Sequence, residues 1–364
     1  MKTKRLLCLI HHRHDRSPGQ RFRIEQFLPA LQDAGWEIQY SNILNQKDDA
    51  VFYVSGHYFG KFRIMIKSFF HRLRDLKRAK KADMVFIYRE AFMLGSTFFE
   101  KRLSKIQVPV IFDFDDSIWL NDTSAGNQNL SWLKKPQKTA KICQFSDYVF
   151  VGNTYLAEYA KQFNKQVHIF PTVIDTNYHK PSSAKQNESK ICIGWTGTQP
   201  TLKHFETIIP TLKALHERYP DKLCFRVIVN FPYKTNAIPL EVIQWEKATE
   251  IETLQHFDIG IMPLPDDEWT RGKCGFKGLQ YMALEIPTIM SPVGVNSDII
   301  QDGENGFLAK NEAEWVEKIS HLIESKSLRK TIGEAGRKTV VENYSKQAWK
   351  DVYIRFFQEL SMKS

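Results

Sequence analysis

DTNYHKPSSAKQNESKICIGWTG, from Asp175 to Gly197, is the stretch on which the fold turns. Its first sixteen residues are polar, carry two Pro/Ser turns and show no apolar period, which is the composition of a linker. The last seven, Ile191–Gly197, read as a β-strand running into a glycine turn. A strand pattern therefore restarts after a break, as expected where a second domain begins.

Upstream, strands are expected near Arg5–Ile10, Glu37–Asn42, Met84–Tyr88, Val108–Asp113, Tyr148–Gly152 and Val167–Pro171, with helical patterns between most of them. Downstream, strands follow at Leu223–Val229, Asp258–Leu264 and Pro287–Ser291. Strands alternating with helices indicate parallel sheets joined by crossover helices, so the class is α/β. At 364 residues the chain exceeds one ordinary core and suits two domains of roughly 150 to 200 residues each. We expect two Rossmann-like domains, residues 1–175 and 191–345, joined by a linker at 176–190. Three helical segments follow Glu312 without a strand, and the last, from residue 346 to 364, carries Trp349, Val352, Tyr353, Phe356 and Phe357. That amphipathic helix is expected to pack back on the N-terminal domain.

Hydrophobic content of 42% with 25 Phe, 13 Tyr and 8 Trp suffices for two cores and excludes a disordered or fibrous chain. The net charge is +10, and residues 61–81 hold nine Lys and Arg against one acid. The basicity is local, which argues for one binding face and against a nucleic-acid groove. In GKFRIMIKSFFHRLRDLKRAKK, residues Phe62, Met65, Ile66, Phe69, Leu73 and Leu76 recur at helical spacing among these cations. This is an amphipathic basic helix, suited either to an anionic membrane surface or to a core-facing role with a solvated basic side. Five widely spaced cysteines in mostly apolar runs indicate neither a disulfide framework nor a zinc site. With Leu6–Ile10 the only apolar run at the start, a cytoplasmic protein is expected, with peripheral attachment to the inner face of the cell membrane.

The strongest local signal is RGKCGFKGLQYMALEIPTIMSPVGVNSDIIQDGENGFLA, Arg271–Ala309. Gly272, Cys274 and Gly275 open a helix that continues through Leu279, Tyr281 and Met282. Backbone N–H groups, Lys273 and Lys277 then converge at its positive end, which makes an anion seat. A glycine helix start with solvated lysines is the alternative. In the first strand–helix turn, Ser17–Arg23 has a single glycine, Gly19, beside Arg21 and Arg23, too few for a dinucleotide fingerprint. Asp113, Asp115 and Asp116 stand at the carboxyl end of a strand, where open α/β sheets place ligand residues. Asp115 or Asp116 is expected to contact a substrate hydroxyl, and at least one of the three to be structural.

Arg271–Ala309, with DIGIMPLPDDEW before it, resembles the nucleotide-sugar site of family 4 glycosyltransferases, retaining enzymes with the glycosyltransferase-B fold. SPGQRFRIEQFLPAL, IFDFDDSIW, DYVFVGNTYLAEYA and PTVIDTNYH are similar to a branch of that family, so the resemblance covers nearly the whole chain. It implies two domains facing a central cleft, a nucleoside diphosphate sugar donor, a glycan or lipid-linked acceptor, no nucleic acid, and no essential metal or other cofactor. The family motif places two Glu eight positions apart, the second accepting from the donor ribose; here Gly272 and Gln280 stand there. A neutral Gln still accepts, but charge-assisted bonds are roughly twice as strong. By the same resemblance the backbone of Gly275 and Phe276 faces the diphosphate and sugar. Lys203 follows the turn at Gly197 and Thr198 and shares the leaving-group charge with Lys277, Lys273 adds to the neutralisation, and the loop of Gly19 and Arg21 approaches the donor phosphates. A sugar-nucleotide epimerase or hydrolase of the same fold, and a noncatalytic nucleotide-sugar-binding protein, remain alternatives.

Overall fold

The computed structural model describes residues 3–120, 125–182 and 190–362. It divides into two compact units, Met1–Thr172 with Trp349–Ser364, and Val173–Ala348.

Unit 1 holds six parallel strands: β1 (Lys4–His12), β2 (Trp36–Leu44), β3 (Met84–Tyr88), β4 (Val110–Phe114), β5 (Tyr148–Val151) and β6 (Val167–Ile169), in the order β2-β1-β3-β4-β5-β6. Every residue of β3 and β4 is buried, as the unbroken apolar runs MVFIY and VIFDF require of strands covered on both faces. Unit 2 repeats the plan with β7 (Ile191–Gly197), β8 (Leu223–Val229), β9 (Leu240–Gln244), β10 (Ile259–Met262), β11 (Thr288–Met290) and β12 (Phe307–Leu308), ordered β12-β11-β10-β7-β8-β9. In each sheet the winding reverses beside the unit's first strand, between β1 and β3 and between β7 and β10. Open parallel sheets bind ligands outside the carboxyl ends of such a pair.

All ten expected strands are present, with ends within about two residues. The sequence reading missed β9, a five-residue edge strand whose residues are all at least partly exposed, and β12, which is two residues long. Both lack the apolar run that marks a buried strand.

The composition of 176–190 suggests a linker, but its first residues are built into unit 2. Ile174 pairs with Ser345, the Lys346 amide donates to the Ile174 carbonyl at 2.8 Å, and His179 is completely buried. Polar side chains there are held by packing that composition does not reveal. Residues 183–189 of that stretch lie outside the described residues.

The last helix, Lys346–Met362, joins unit 1 from Trp349 onward. Tyr353 stacks on Phe27 with centroids 4.3 Å apart, Phe357 meets Trp36 edge-on, and both are buried. Val352, read from sequence as part of this apolar face, is exposed, and Leu360 is buried in its place.

The basic helix, Tyr58–Ala79, is oriented against the simple amphipathic reading. Its buried positions are Lys61, Ile64, Ser68, Arg72, Asp75 and Ala79, whereas Phe59, Phe62, Ile66, Phe69 and Phe70 are exposed, Phe59 by 82%. Arg72 explains the inversion. Its guanidinium donates to the carbonyls of Ile10 at 2.7 Å, Ala91 at 2.7 Å and Ser41 at 3.0 Å, and to Asp75 at 2.8 Å. A buried cation is tolerated when each N–H finds an acceptor, and this one anchors the polar stripe inward.

Candidate active site

In unit 2 the polypeptide leaves β7 through Gly197 and Thr198 and turns into the short helix Leu202–Glu206. Thr198 and Thr201 close the turn on each other: the Thr198 amide donates to Thr201 Oγ1 at 3.0 Å and the Thr201 amide to the Thr198 carbonyl at 2.9 Å. Lys203 follows, exposed. After the neighbouring strand β10 the chain reaches Asp267, which caps the helix Glu268–Arg271 by accepting from the Thr270 amide at 2.8 Å. It then turns at Gly275 into the helix Phe276–Ala283. Gly275 has φ +68°, and an added Cβ would overlap Ile299 Cδ1, so conformation and space both demand glycine.

Three lysines expected at the anion seat gather around His204. Burial, followed by the charges of Lys273, Lys277 and Lys203, lowers its pKa to about 4, while Asp267 acts in the opposite direction. The ammonium groups of Lys273 and Lys277 lie over indole rings, 5.0 Å from Trp269 and 5.8 Å from Trp195. Such seats hold lysine heads in place. Three cations beside the positive end of a helix are equipped to receive a polyanion.

Gln280 sits one turn along the helix and is buried. Its amide nitrogen donates to Glu250 Oε1 at 3.3 Å and lies 3.3 Å from His179 Nε2. Trp245 donates its indole N–H to the same Glu250 oxygen at 3.3 Å. A carboxylate thus stands beside position 280, supplied by the helix Glu250–Gln255. No motif points to it, because Glu250 is thirty residues away and lies in none.

In unit 1 the carboxyl ends of β3 and β4 are in register, Tyr88 opposite Asp113. Asp115 Oδ1 accepts from the Tyr88 hydroxyl at 2.8 Å and from Arg89 Nε and Nη2 at 3.1 and 2.8 Å, and Asp116 lies 3.6 Å from Arg89. Burial by itself would raise the pKa of Asp115, but the Arg89 charge, then Arg23 and the hydrogen bonds, outweigh it and hold the carboxylate below the usual range. Asp115 is therefore a fixed anion and acceptor. Arg89 adopts φ +61°, a conformation that costs a non-glycine residue energy and recurs at functional sites. Gly19 packs against the same group, since a Cβ there would overlap the Tyr88 hydroxyl and come within 3.1 Å of Asp115 Oδ2.

Gly19, Asp115 and Asp116 are thus brought together, with Tyr88 and Arg89, which the sequence reading did not single out. Arg21 points elsewhere, to Asp15 at 4.0 Å. Arg23 is neither a surface charge nor at hand for a ligand: it is buried against Asp113, its Nε 3.1 and 3.2 Å from the two carboxylate oxygens. Asp113 is the structural member of the aspartate trio. Among the described residues, His14, Asp15 and Glu25 could offer ligand atoms to a metal within 4.8 Å of one another. Glu25 already accepts from Gln20 at 2.6 Å, Tyr40 at 2.5 Å and the Asp15 amide at 2.8 Å, so the protein itself satisfies that carboxylate.

Residues 192–325 match the family model "Glycosyl transferases group 1". The match falls within unit 2 and spans most of it. Every candidate residue from Gly197 to Gln280 lies inside it. The chain is 30% identical over 146 residues to an uncharacterised glycosyltransferase of Methanocaldococcus jannaschii, an alignment covering 39% of each protein. It is 37% identical over 91 residues to the capsular polysaccharide biosynthesis glycosyltransferase CapM of Staphylococcus aureus, covering 23% of this chain and 24% of CapM. The chain thus spans well under half the length of these relatives. A crystal structure of Anabaena HepE in complex with UDP-glucose matches 98% of this chain and 99% of its own, with a TM-score of 0.68 at 10% identity. The shared fold is glycosyltransferase-B, as the two parallel sheets also indicate.

Proposed function

We propose that the protein is a glycosyltransferase that moves a sugar from a nucleoside diphosphate sugar to an acceptor hydroxyl with retention, in the synthesis of a cell-surface polysaccharide or glycolipid. The observation that carries this reading is the gathering of Lys203, Lys273 and Lys277 around one point beside the start of the helix Phe276–Ala283, within the group 1 domain. HepE in complex with UDP-glucose and the capsule role in CapM's name support the donor class and the pathway class.

Chemically, the bond between the anomeric carbon and the phosphate oxygen breaks and its electron pair stays on the diphosphate. Lys203, Lys277 and the helix N-terminus stabilise the charge that develops there, and Lys273 adds to it. These cations supply what a metal would otherwise supply, so no essential metal is invoked. Gly197, Thr198, Gly275 and Phe276 bring backbone close to the donor, and Gln280 accepts a ribose hydroxyl. In unit 1, Asp115 and Asp116 are assigned to a substrate hydroxyl, and the loop of Gly19 and Arg21 to the donor phosphates.

The acceptor is a glycan or a lipid-linked glycan, met at an anionic membrane surface. Support comes from the helix Tyr58–Ala79, which exposes Phe59, Phe62, Ile66 and Phe70 beside Arg63, Lys67, Arg74, Lys77 and Arg78. Among the described residues no helix is long and apolar enough to cross a membrane. Attachment would then be peripheral, on the cytoplasmic face.

The test is incubation of the purified protein with UDP-, GDP- and ADP-sugars, with and without a panel of glycan and lipid-linked acceptors. Acceptor-dependent release of the nucleoside diphosphate is expected. Release or epimerisation without acceptor points to the hydrolase or epimerase reading, and binding without turnover to a noncatalytic one.

A further inference from the structure

His204 is a second feature of the unit 2 site, and nothing in the donor-binding reading requires it. It follows Lys203 on the helix Leu202–Glu206, is 2% exposed, and has both ring nitrogens shielded from solvent without a hydrogen-bond partner. Four other histidines have one such nitrogen; among the described residues only His204 has two. A buried polar atom without a partner is destabilising, and native proteins keep few of them.

Its surroundings explain why no partner is found within the protein. The charged groups acting on it are Lys203 from its own helix, Lys273 and Lys277 from the turn and helix around Gly275, and Asp267 from the cap of Glu268–Arg271. Lysine ammonium groups have no lone pair to offer an N–H. Asp267 is the one acceptor in the set, and it accepts from the Thr270 amide and hydroxyl at 2.8 Å through Oδ1 but from neither nitrogen of the ring. The imidazole therefore carries an N–H with no acceptor, in a shell of positive charge.

We propose that His204 is a ligand of the donor diphosphate, donating its ring N–H to a phosphate oxygen and taking up a proton as the anion binds. This rests on the reading of unit 2 as the donor site. Without an anion, burial and the three lysines hold the ring neutral, with a pKa of about 4. A bound diphosphate offsets that positive charge and supplies the missing acceptor, and both effects raise the pKa. The site then gains a cation only when the polyanion is present, so its own repulsion is limited while it is empty. The same logic favours diphosphate over monophosphate, because more negative charge is needed to draw the proton in.

Inorganic pyrophosphate is the probe, since it carries the proposed chemistry without a base or sugar. Calorimetric titration of the full chain near pH 6, in buffers of different ionisation enthalpy, should show proton uptake on binding. The ring C2–H resonance of His204, assigned by its loss in His204→Asn, should titrate near pH 4 alone and above pH 6 with pyrophosphate. His204→Phe should weaken pyrophosphate about tenfold to a hundredfold, as expected for loss of a charge-assisted hydrogen bond, and abolish the proton uptake. Inorganic phosphate should produce a smaller shift. If wild type binds pyrophosphate and Lys277→Ala weakens it, yet the His204 resonance stays put and His204→Phe binds as wild type, the histidine inference fails while the donor site stands. If wild type binds neither pyrophosphate nor any nucleoside diphosphate, the donor-site reading itself falls, and the inference with it. The resonance titration needs only wild-type ligand binding, so poor folding of His204→Phe would not rescue the proposal.

Discussion

The Tyr88 hydroxyl donates to Asp115 Oδ1 at 2.8 Å and occupies the space that a side chain at residue 19 would need. A glycine in the first strand–helix turn and an aspartate nearly a hundred residues later are thereby tied through one phenol. Gly19→Ala must push Tyr88 aside and so disturb Asp115, whereas Tyr88→Phe removes only the hydrogen bond. We expect turnover to fall in both, further in Gly19→Ala, with melting temperatures within a few degrees of wild type. Normal turnover in Gly19→Ala would detach this group from the chemistry.

Lys203→Ala and Lys277→Ala each remove one cation from the proposed leaving-group site. A donor aimed at developing charge commonly contributes about a hundredfold to a thousandfold in rate, so kcat should fall by that order in each variant. Lys203 is exposed and Lys277 only partly buried, so far-ultraviolet circular dichroism should remain that of wild type. Turnover close to wild type in both would remove these lysines from the mechanism.

Much of this arrangement is legible in the chain, and the reason differs from residue to residue. The strands β3, β4 and β7 announce themselves because burial on both faces forces unbroken apolar runs, and Gly275 because only glycine accepts its backbone geometry there. Asp113 and Asp115 are two residues apart in one strand end, yet one faces Arg23 in the core and the other Arg89, a division that depends on partners remote in sequence. Glu250 and His204 carry no signal in the sequence for a similar reason. Each has meaning only through what folding places beside it, Gln280 for the first and three lysines for the second. The basic helix shows the opposite failure: its apolar period is plain, but Arg72 and Asp75 claim the inner face through backbone carbonyls that no periodicity encodes.

Asp113→Asn tests the structural side of that division. Removing one partner of a buried ion pair strands the other charge, at a cost of about 3 to 5 kcal/mol. The Arg23–Asp113 pair is 2% exposed on each side chain. Chemical denaturation should show a loss of that size. A stability unchanged by the substitution would contradict a paired, buried Arg23.

Gln280 invites the reverse change. Gln280→Glu installs the acid that the family motif places there, but its carboxylate would meet Glu250, to which the Gln280 amide now donates at 3.3 Å. Repulsion between like charges in a buried site should destabilise the fold above neutral pH and raise the pKa of one of the two acids. Gln280→Ala should instead raise donor KM more than it lowers kcat, since a ribose contact is similar in ground and transition states. A Gln280→Glu protein that is more stable than wild type at pH 8 would show that Glu250 does not constrain this position.

Docking through the helix Tyr58–Ala79 predicts a specific salt response. Each Lys or Arg near an anionic lipid surface contributes about 1 kcal/mol, and this attraction is screened by salt, whereas inserted aromatic rings are not. Flotation with phosphatidylserine vesicles should recover the protein at low salt and lose most of it at high salt. Phe59→Ser with Phe62→Ser should weaken recovery at both salt levels without affecting the fold, since those rings are 82% and 62% exposed. Equal recovery on neutral and anionic vesicles at every salt concentration would end the idea.

His204 also makes a prediction about acid stability that needs no ligand. Its folded-state pKa of about 4 lies below the ordinary 6.5, so the unfolded chain binds a proton here more readily than the folded one. Stability from keeping the ring neutral is fully present above about pH 6.5 and is lost progressively as the pH falls toward 4, with no further loss from this residue below that. His204→Asn has no group that titrates in this window. Its melting temperature should therefore decline less steeply than wild type between pH 6.5 and 4.5, while at pH 8 the two curves differ by a constant offset. Parallel curves through the acid range would mean that His204 is already protonated or solvated in the folded protein, contrary to its burial beneath three lysines.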